Sequence, residues 1–245
     1  MPQNKRSQST EPITAQIAER LEREPVKVLG RIANSSNATL LVEVGSQHNK
    51  IKAIYKPLVG ERPLWDFPPG LYKREVAAYL LSETLELGLV PLTIEREDLP
   101  YGVGSLQYFI EADFSKTYYE ILEDDGNHPI LIDLAAFDIL ANNSDRKGGH
   151  VLIDANGKIF AIDNGLCFHK QFKLRSVIWE FGKAPISDHF LTLLQVAAEK
   201  HFSFLDHYLA EPEIASLITR ANYLMTHGSL LDLPEDQRPY PWPII

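Results

Sequence analysis

The sequence contains a single cysteine and no long apolar run, and each absence excludes a class of protein. With Cys167 as the one thiol among 245 residues, an internal disulfide and a cysteine-cluster zinc site are excluded. No apolar run reaches the roughly 20 residues that a membrane-spanning helix needs. Residues 1–11 are polar and lack the apolar core of a signal peptide. We therefore expect a cytoplasmic protein without a stable membrane anchor.

Positive charge is also in short supply. The chain has 24 Lys and Arg residues against 33 Asp and Glu residues, a formal net charge of −9. Nucleic-acid binding requires a basic face, so we do not expect it here. The motifs Gly-x-x-x-x-Gly-Lys, Gly-x-Ser-x-Gly and His-Glu-x-x-His are all missing, which argues against P-loop, nucleophile-elbow and zincin enzymes. The 44% of hydrophobic residues is ample for a globular core.

A predicted β-hairpin carries the clearest chemical signal. Two short apolar runs, 151–153 and 158–162, flank an Asn-Gly pair, which is typical of a tight hairpin turn. Antiparallel pairing puts the start of the first strand beside the end of the second, so His150 and Asp163 should face each other. Asp145 lies in the polar loop just before. Taken alone, the same pattern also fits a surface hairpin entered by a polar loop.

The spacing within that loop matches a kinase catalytic loop. Asp145, Lys147 and His150 have the offsets of the kinase Asp, Lys and metal-binding Asn, with His in place of Asn. The Asp145 carboxylate would orient the attacking hydroxyl, while His150 and Asp163 would hold a metal ion on the nucleotide phosphates. The pattern predicts a phosphoryl-transfer site with Asp145 and Lys147 as catalytic residues.

The upstream half of the chain supplies nucleotide-binding elements in kinase order. Three predicted strands are joined by short turns, and the first turn contains Ser35, Ser36 and Asn37, which can cradle phosphates although it lacks glycine. On the third strand a period of two puts Ile54 and Lys56 on one face. This face would offer a purine an apolar contact beside a charge for phosphates.

Glu75 is the predicted partner of that lysine. It lies in residues 71–85, whose apolar spacing predicts a helix. A lone strand lysine is usually solvated, so the lysine and the glutamate gain meaning only as a pair. We expect Lys56 and Glu75 to form an ion pair in the cleft.

Taken in order, these motifs resemble those of the phosphatidylinositol 3- and 4-kinase-like superfamily, with type II phosphatidylinositol 4-kinases as the nearest relatives. A more distant resemblance runs to HipA-type bacterial kinases. The most specific pair is Asn-Asn-Ser-Asp-Arg at 142–146 and Ala-Ile-Asp-Asn-Gly-Leu at 161–166. The matching segments, which span most of residues 26–175, are 53–57, 75–81, 87–93, 104–111, 138–146 and 161–168.

The resemblance implies a role for each matching residue. Lys56 would contact the ATP phosphates, with Glu75 as its helix partner. Gln107 to Phe109 would form the hinge whose backbone meets adenine, and Asp145 would be the catalytic carboxylate.

The resemblance also implies a metal site with one departure. Asp163 matches the metal-binding aspartate, and His150 stands where the family usually has Asn. Magnesium prefers oxygen ligands whereas imidazole suits softer ions, so His150 leaves open whether the ion is Mg²⁺ or Mn²⁺ and whether this position binds it directly or through water. A directly ligating imidazole must be neutral, so metal-dependent nucleotide binding should weaken as the pH falls through about 6 to 7.

The expected fold is α+β and two-lobed, protein-kinase-like in the manner of the phosphatidylinositol kinases, with a small strand-rich N-lobe and a mainly helical C-lobe. We expect a flexible tail at 1–13, the N-lobe at 14–106 and the C-lobe at 107–245. The predicted helices other than 71–85 are 14–24, 130–141, 191–209 and 213–225. Asp138 interrupts the apolar character of one of them, so it should bond loop amides or Arg146.

The expected function is ATP-dependent transfer of the γ-phosphoryl group to an unidentified hydroxyl. The alternatives are a kinase-like nucleotide-binding or regulatory module with little turnover, and nucleotidyl transfer (AMPylation). Lys170, Lys173 and Arg175 lie where kinases receive the acceptor; they can hold an anionic acceptor or belong to a solvated loop. The chain lacks a cysteine-rich segment that could be palmitoylated, so a protein or small-molecule acceptor is expected rather than a membrane lipid.

Overall fold

The N-lobe is a five-stranded antiparallel sheet with a helix packed on it. The computed structural model describes residues 11–33, 35, 37–46, 49–233 and 239–245. The strand order is β1-β2-β3-β5-β4, for β1 (Val26–Arg31), β2 (Leu40–Val44), β3 (Ile51–Pro57), β4 (Thr93–Arg96) and β5 (Gly104–Tyr108). Helix α1 (Glu11–Arg23) buries Leu21 in the apolar cluster of this sheet.

The C-lobe is mainly helical and contains the predicted hairpin. Helix α2 (Leu71–Thr84) lies between β3 and β4 in the chain. The elements of the C-lobe are α3 (Tyr118–Leu122), α4 (His128–Ala141), β6 (Val151–Ile153), β7 (Ile159–Ala161), α5 (Asp188–Glu199) and α6 (Glu211–His227). Strands β6 and β7 pair antiparallel with each other. Within the described ranges, none of the helices combines the length and the apolar character that crossing a membrane requires.

Alternation along β3 separates the core from the cleft. Ala53 and Tyr55 are fully buried in the apolar cluster of the sheet, so Ile54 and Lys56 lie on the opposite face. Strand β5 pairs with β3 in a register that sets Gln107 opposite Ile54. Residues opposite each other in a ladder lie on the same face of the sheet. Gln107, near the end of β5, is therefore on the face that carries Ile54 and Lys56.

Helix α2 of the predicted N-lobe packs beside strands β4 and β5 and also buries apolar side chains in the core of the C-lobe. Its buried Ala77, Ala78 and Leu81 pack in the large apolar cluster that also contains Leu134 and Phe137 of α4. The sheet of the N-lobe is stabilised by a separate, smaller cluster. The helix that carries Glu75 is therefore attached to the C-lobe by its apolar side.

Several predicted helix boundaries are wrong, including both ends of 191–209 and of 213–225, and one predicted residue lies outside the described ranges. The helix predicted for 191–209 ends at Glu199, because His201 and Phe202 have left-handed backbone conformations that no continuous helix accommodates. Helix α1 begins at Glu11, inside the predicted tail, and α4 begins at His128, whose following proline suits the first turn of a helix. Ser36 of the predicted phosphate turn lies outside the described residues.

Candidate active site

A cavity of about 430 Å³ lies between the two lobes and contains most of the predicted site residues. This volume is typical of a small-molecule site. The apolar lining is Ile32, Ile54, Tyr108, Phe109, Ile110, Phe114, Leu152 and Ile162. The polar side chains of the lining are Ser35, Thr39, Lys56, Gln107, Asp145, Lys147, His150 and Asp163.

Lys56 pairs with two carboxylates in this cavity. Its ammonium donates to Glu75 Oε1, and its Nζ lies 2.8 Å from Asp163 Oδ1. Burial lowers the pKa of Lys56, but the carboxylates of Asp163 and Glu75 outweigh burial and hold that pKa above its ordinary value. The predicted ion pair between Lys56 and Glu75 is confirmed, and the lysine remains a cation.

Glu75 also bonds the segment that follows Asp163. Its second oxygen, Oε2, accepts a hydrogen bond of 3.0 Å from the backbone amide of Asn164. Only 2% of the Glu75 side chain is exposed, so both bonds are shielded from water. The helix, the strand lysine and the segment after Asp163 thus meet at one carboxylate.

The hairpin brings His150 and Asp163 together as predicted. The amide of Ile162 donates to the carbonyl of His150 over 2.9 Å, and His150 Nε2 lies 3.4 Å from Asp163 Oδ2. Asp163 has a positive φ of 60°, a conformation that aspartate tolerates better than most residues. The Lys56 ammonium lowers the pKa of Asp163 well below its usual range, so the side chain is an anion ready for a cation.

The hydrogen bonding of His150 fixes which ring nitrogen carries the proton. Burial lowers the pKa of His150 to about 4, so the ring is neutral near pH 7. The Lys147 amide donates to Nδ1 over 3.3 Å, which leaves the proton on Nε2, directed at Asp163. In this tautomer Nε2 is a donor to the carboxylate. Because burial shifts the pKa, the pH window of about 6 to 7 expected for an ordinary histidine moves to lower pH.

Asp145 is held at the cavity by the loop around it. Its backbone amide donates to Asn143 Oδ1 over 2.9 Å, and Lys147 Nζ lies 3.2 Å from Asp145 Oδ2. Burial raises the pKa of Asp145 to about 6, against the opposing influence of Lys147. A carboxylate with a raised pKa beside a cavity is a candidate for proton transfer.

A buried arginine joins the loop around Asp145 to the segment around Asp163. Arg146 forms two bonds of 2.9 Å with the carboxylate of Asp138, donates to the carbonyl of Ile162 over 2.7 Å and donates to Asn164 Oδ1 over 2.7 Å. The prediction that Asp138 bonds Arg146 is confirmed. Both side chains are essentially unexposed, so the pair is scaffolding rather than chemistry.

Replacing Arg146 with methionine should lower the free energy of unfolding by about 3 to 5 kcal/mol, because Asp138 would keep a buried charge without its partner. Urea denaturation monitored by circular dichroism measures the change. The double variant Asp138→Leu/Arg146→Met should recover much of the loss, since it removes both charges. A single variant within about 1 kcal/mol of wild type would contradict the buried-pair assignment.

The predicted adenine and phosphate ends of the cavity are only partly as expected. Ile54 and Ser35 line the cavity, whereas Asn37 lies in an adjoining space of about 50 Å³ and its Oδ1 accepts from the Arg62 amide. The Gln107 side chain is buried and donates to Thr93 Oγ1 over 2.8 Å. 

The backbone of the predicted hinge is partly used by the sheet. The Phe109 amide donates to the carbonyl of Lys52 over 3.1 Å, so this N–H is already engaged. Within the described part of the chain, the Ile110 amide has no protein acceptor. Ile110 also lines the cavity, so its amide is a candidate donor to a ligand.

The three predicted acceptor cations differ in their surroundings. Lys173 lies 2.7 Å from Asp66 and packs over the ring of Trp65, with Nζ 5.1 Å from the ring centroid. Lys170 and Arg175 are exposed. The structure therefore leaves two of the three cations open to solvent.

Sequence reasoning missed the residues that shape the segment after Asp163. Asn142, with a left-handed φ of 55°, donates to the carbonyls of His169 and Gln171, and its Oδ1 accepts from the Lys173 amide. The available signal was an asparagine at the end of a predicted helix, a place that favours a left-handed cap. Leu152 and Ile162 were also missed, although each lies within a predicted hairpin strand next to a site residue.

Two solved structures share this fold. A structure of hydra Fam20 with sugar has a TM-score of 0.56 and 12% identity, and the match covers 90% of this chain and 89% of that chain. The Helicobacter pylori proinflammatory kinase CtkA has a TM-score of 0.50 and 15% identity, with 85% and 97% covered. At these identities the likeness concerns the fold alone. The chain has a two-lobed, kinase-like α+β fold.

A curated relative then gives the family. The chain is 36% identical over 254 residues to protein Rv2133c of Mycobacterium tuberculosis strain H37Rv, and the match covers 88% of this chain and 91% of the relative. The chain belongs to the family of that protein, whose name states no activity. The sequence matches no protein-family model.

Proposed function

We propose that the chain is an ATP-dependent phosphotransferase, related in its motifs to the phosphatidylinositol kinases, that transfers the γ-phosphoryl group to a hydroxyl acceptor. The observation that carries the proposal is the contact of Lys56 with both Glu75 and Asp163 in the cavity that also contains Asp145. A kinase-like module without turnover would not need these four charged side chains in one place. The kinase-like fold supports the same conclusion.

The roles of the residues follow from their charges and positions. Adenine would lie between Ile54 and the hairpin side chains Leu152 and Ile162, with the free Ile110 amide as a donor. Lys56 would contact the phosphates, since it is a cation in the cavity and lies beside Asp163, where the metal ion on the phosphates would bind. Asp145 would orient the acceptor hydroxyl and accept its proton, because its raised pKa makes it a better base than an ordinary aspartate.

A divalent metal ion fits the donor set through Asp163. That carboxylate is ionised and offers hard oxygen donors, and kinase sites take few protein ligands because the phosphates supply others. Within the described residues, no three His, Cys, Asp or Glu side chains cluster as a metal cage. Bound Mg²⁺ or Mn²⁺ would neutralise charge on the ATP phosphates. His150 would orient Asp163 in the tautomer described above, and direct ligation would require the other tautomer.

Surface charge favours an anionic acceptor. Lys170 and Arg175 are exposed beside the segment that follows Asp163, which suits an anionic protein or soluble metabolite, while Lys173 pairs with Asp66.

Labelled ATP tests the reaction class directly. Incubating the protein with metal and ATP labelled at the γ position should release or transfer label, whereas label at the α position should stay in ADP. Incorporation of the α label into protein would instead indicate nucleotidyl transfer. Binding of ATP without turnover, in the presence of Mg²⁺ or Mn²⁺ and candidate acceptors, would identify a regulatory module.

The metal preference tests the role of His150. If His150 donates to Asp163, His150→Asn should lower the affinity for Mg²⁺ and Mn²⁺ alike, by about 10- to 100-fold, and leave their order unchanged. Metal titrations of ATP turnover in wild type and variant measure this. The exposed His189→Asn serves as a matched control. A change from manganese preference to magnesium preference in His150→Asn would demonstrate direct ligation.

A further inference from the structure

We infer that Arg74 and Glu213 are positioning residues that hold helix α2, and with it Glu75, in the place phosphoryl transfer requires. This inference depends on the proposed function for its catalytic consequence. The two residues come from different parts of the chain, helix α2 and the first turn of helix α6.

Arg74 joins four parts of the molecule. Its Nη2 donates to Glu213 Oε1, its Nη1 donates to the carbonyl of Cys167 over 2.8 Å, and its guanidinium lies 5.1 Å from the ring centroid of Phe67. Arg74 is 3% exposed, so these contacts are made away from water. A charge-assisted bond in such surroundings holds its partners in one geometry.

Glu213 is itself fixed by the start of its helix. Its Oε2 accepts from the Ala210 amide over 2.9 Å, while Oε1 accepts from Arg74. The carboxylate thus serves helix α6 and the arginine at once. Because α6 packs against α4 in the C-lobe core, the arginine links α2 to a rigid part of the C-lobe.

Arg74 and Glu75 are neighbours with different tasks. Glu75 bonds Lys56 and the Asn164 amide, and Arg74 bonds the carbonyl of Cys167 in the same short segment. The segment is therefore bonded to α2 by both side chains. A rotation or outward shift of α2 would break the contacts of Arg74 and of Glu75 together.

The sequence of that segment is consistent with a permanently assembled site. Residues 165–175 contain no serine, threonine or tyrosine, and the next hydroxyl along the chain, that of Ser176, is buried. Where phosphorylation assembles a kinase site, new phosphate–arginine contacts order this part of the chain. Here Arg74 and Glu213 supply a fixed ion pair instead, and α2 needs no modification of this segment to reach its position.

The test uses the neutral double variant Arg74→Met/Glu213→Gln, which avoids leaving a lone buried charge. We expect kcat for metal-dependent ATP turnover to fall about 10- to 100-fold, the size of a small misplacement of catalytic groups. Amide hydrogen exchange within residues 71–84 should become at least about 10-fold faster, since the helix would open locally more often. Arg74→Lys, which keeps the charge but loses the fork, should fall between the double variant and wild type.

Arg220→Met is the matched control. Arg220 is likewise a buried arginine, but it is on α6, where it bonds the carbonyl of Leu140 and makes no bond to α2. It should lower thermal stability while leaving the exchange of residues 71–84 and the kcat within about 3-fold of wild type.

Unchanged exchange of residues 71–84 in the double variant, or an equal effect of Arg220→Met, overturns the inference. If the double variant does not fold, Arg74→Lys decides the question by the same two readouts. Wild-type protein that turns over no ATP would overturn the proposed function, and the exchange measurement would still judge the role of the ion pair.

Discussion

Replacing Asp163 with asparagine should reduce metal-dependent ATP turnover by about 100- to 1,000-fold, because the site would lose its anionic oxygen donor for the metal ion. The variant should also bind ATP more weakly in the presence of metal, while binding without metal changes little. Asparagine has the same shape and tolerates the left-handed backbone at this position, so the fold should persist. Calorimetric titration of ATP with and without Mg²⁺, beside a turnover assay, measures both effects.

An exposed aspartate provides the control for Asp163. Asp206→Asn makes the same chemical change on the surface of the C-lobe and should leave turnover at the wild-type level. Asp163→Asn with wild-type turnover would remove the metal-binding role of this residue. A loss of turnover with an intact metal-dependent gain in ATP affinity would assign Asp163 to chemistry rather than to metal binding.

Replacing Asp145 with asparagine should have a comparable effect on turnover with a different signature. We expect kcat to fall about 100- to 10,000-fold, the range of a lost general base, while ATP affinity in the presence of metal is retained. The amide of residue 145 would still donate to Asn143, so the loop should keep its shape. The separation of turnover from binding distinguishes Asp145 from Asp163.

The pH dependence of turnover gives a second measure of Asp145. Since burial raises its pKa to about 6, the carboxylate becomes protonated below that pH and can no longer accept a proton. Wild-type kcat should therefore fall about 10-fold for each pH unit below this value. His150, with a pKa lowered to about 4, stays neutral between pH 5 and 8 and does not contribute to this fall. The residual activity of Asp145→Asn should be flat between pH 5 and 8, and a parallel slope would exclude Asp145 as its source.

The sequence predicted the hairpin and the contacts it creates because their causes are local. An Asn-Gly turn between two apolar runs determines the pairing, and the pairing places His150 beside Asp163. The ion pair of Lys56 with Glu75 was within reach for a different reason, since the motif order resembled that of kinases. Both predictions are confirmed by the contacts of these side chains.

Other features depend on contacts that no local pattern contains. The bond between Arg74 and Glu213 joins residues far apart in the chain, and no sequence pattern near either residue predicts it. The tautomer of His150 follows from the Lys147 amide, which a spacing argument cannot orient. The end of α5 at Glu199 results from two left-handed residues, neither of which is the glycine or asparagine that usually signals a stop.

The attachment of α2 to the larger apolar cluster has a consequence for how the protein unfolds. The sheet of the N-lobe contributes only a small cluster of its own, and the helix beside it completes the core of the other lobe. A chain divided after Phe109 would leave each half with apolar surface that only the other half covers. The two lobes are therefore expected to unfold together as one cooperative unit.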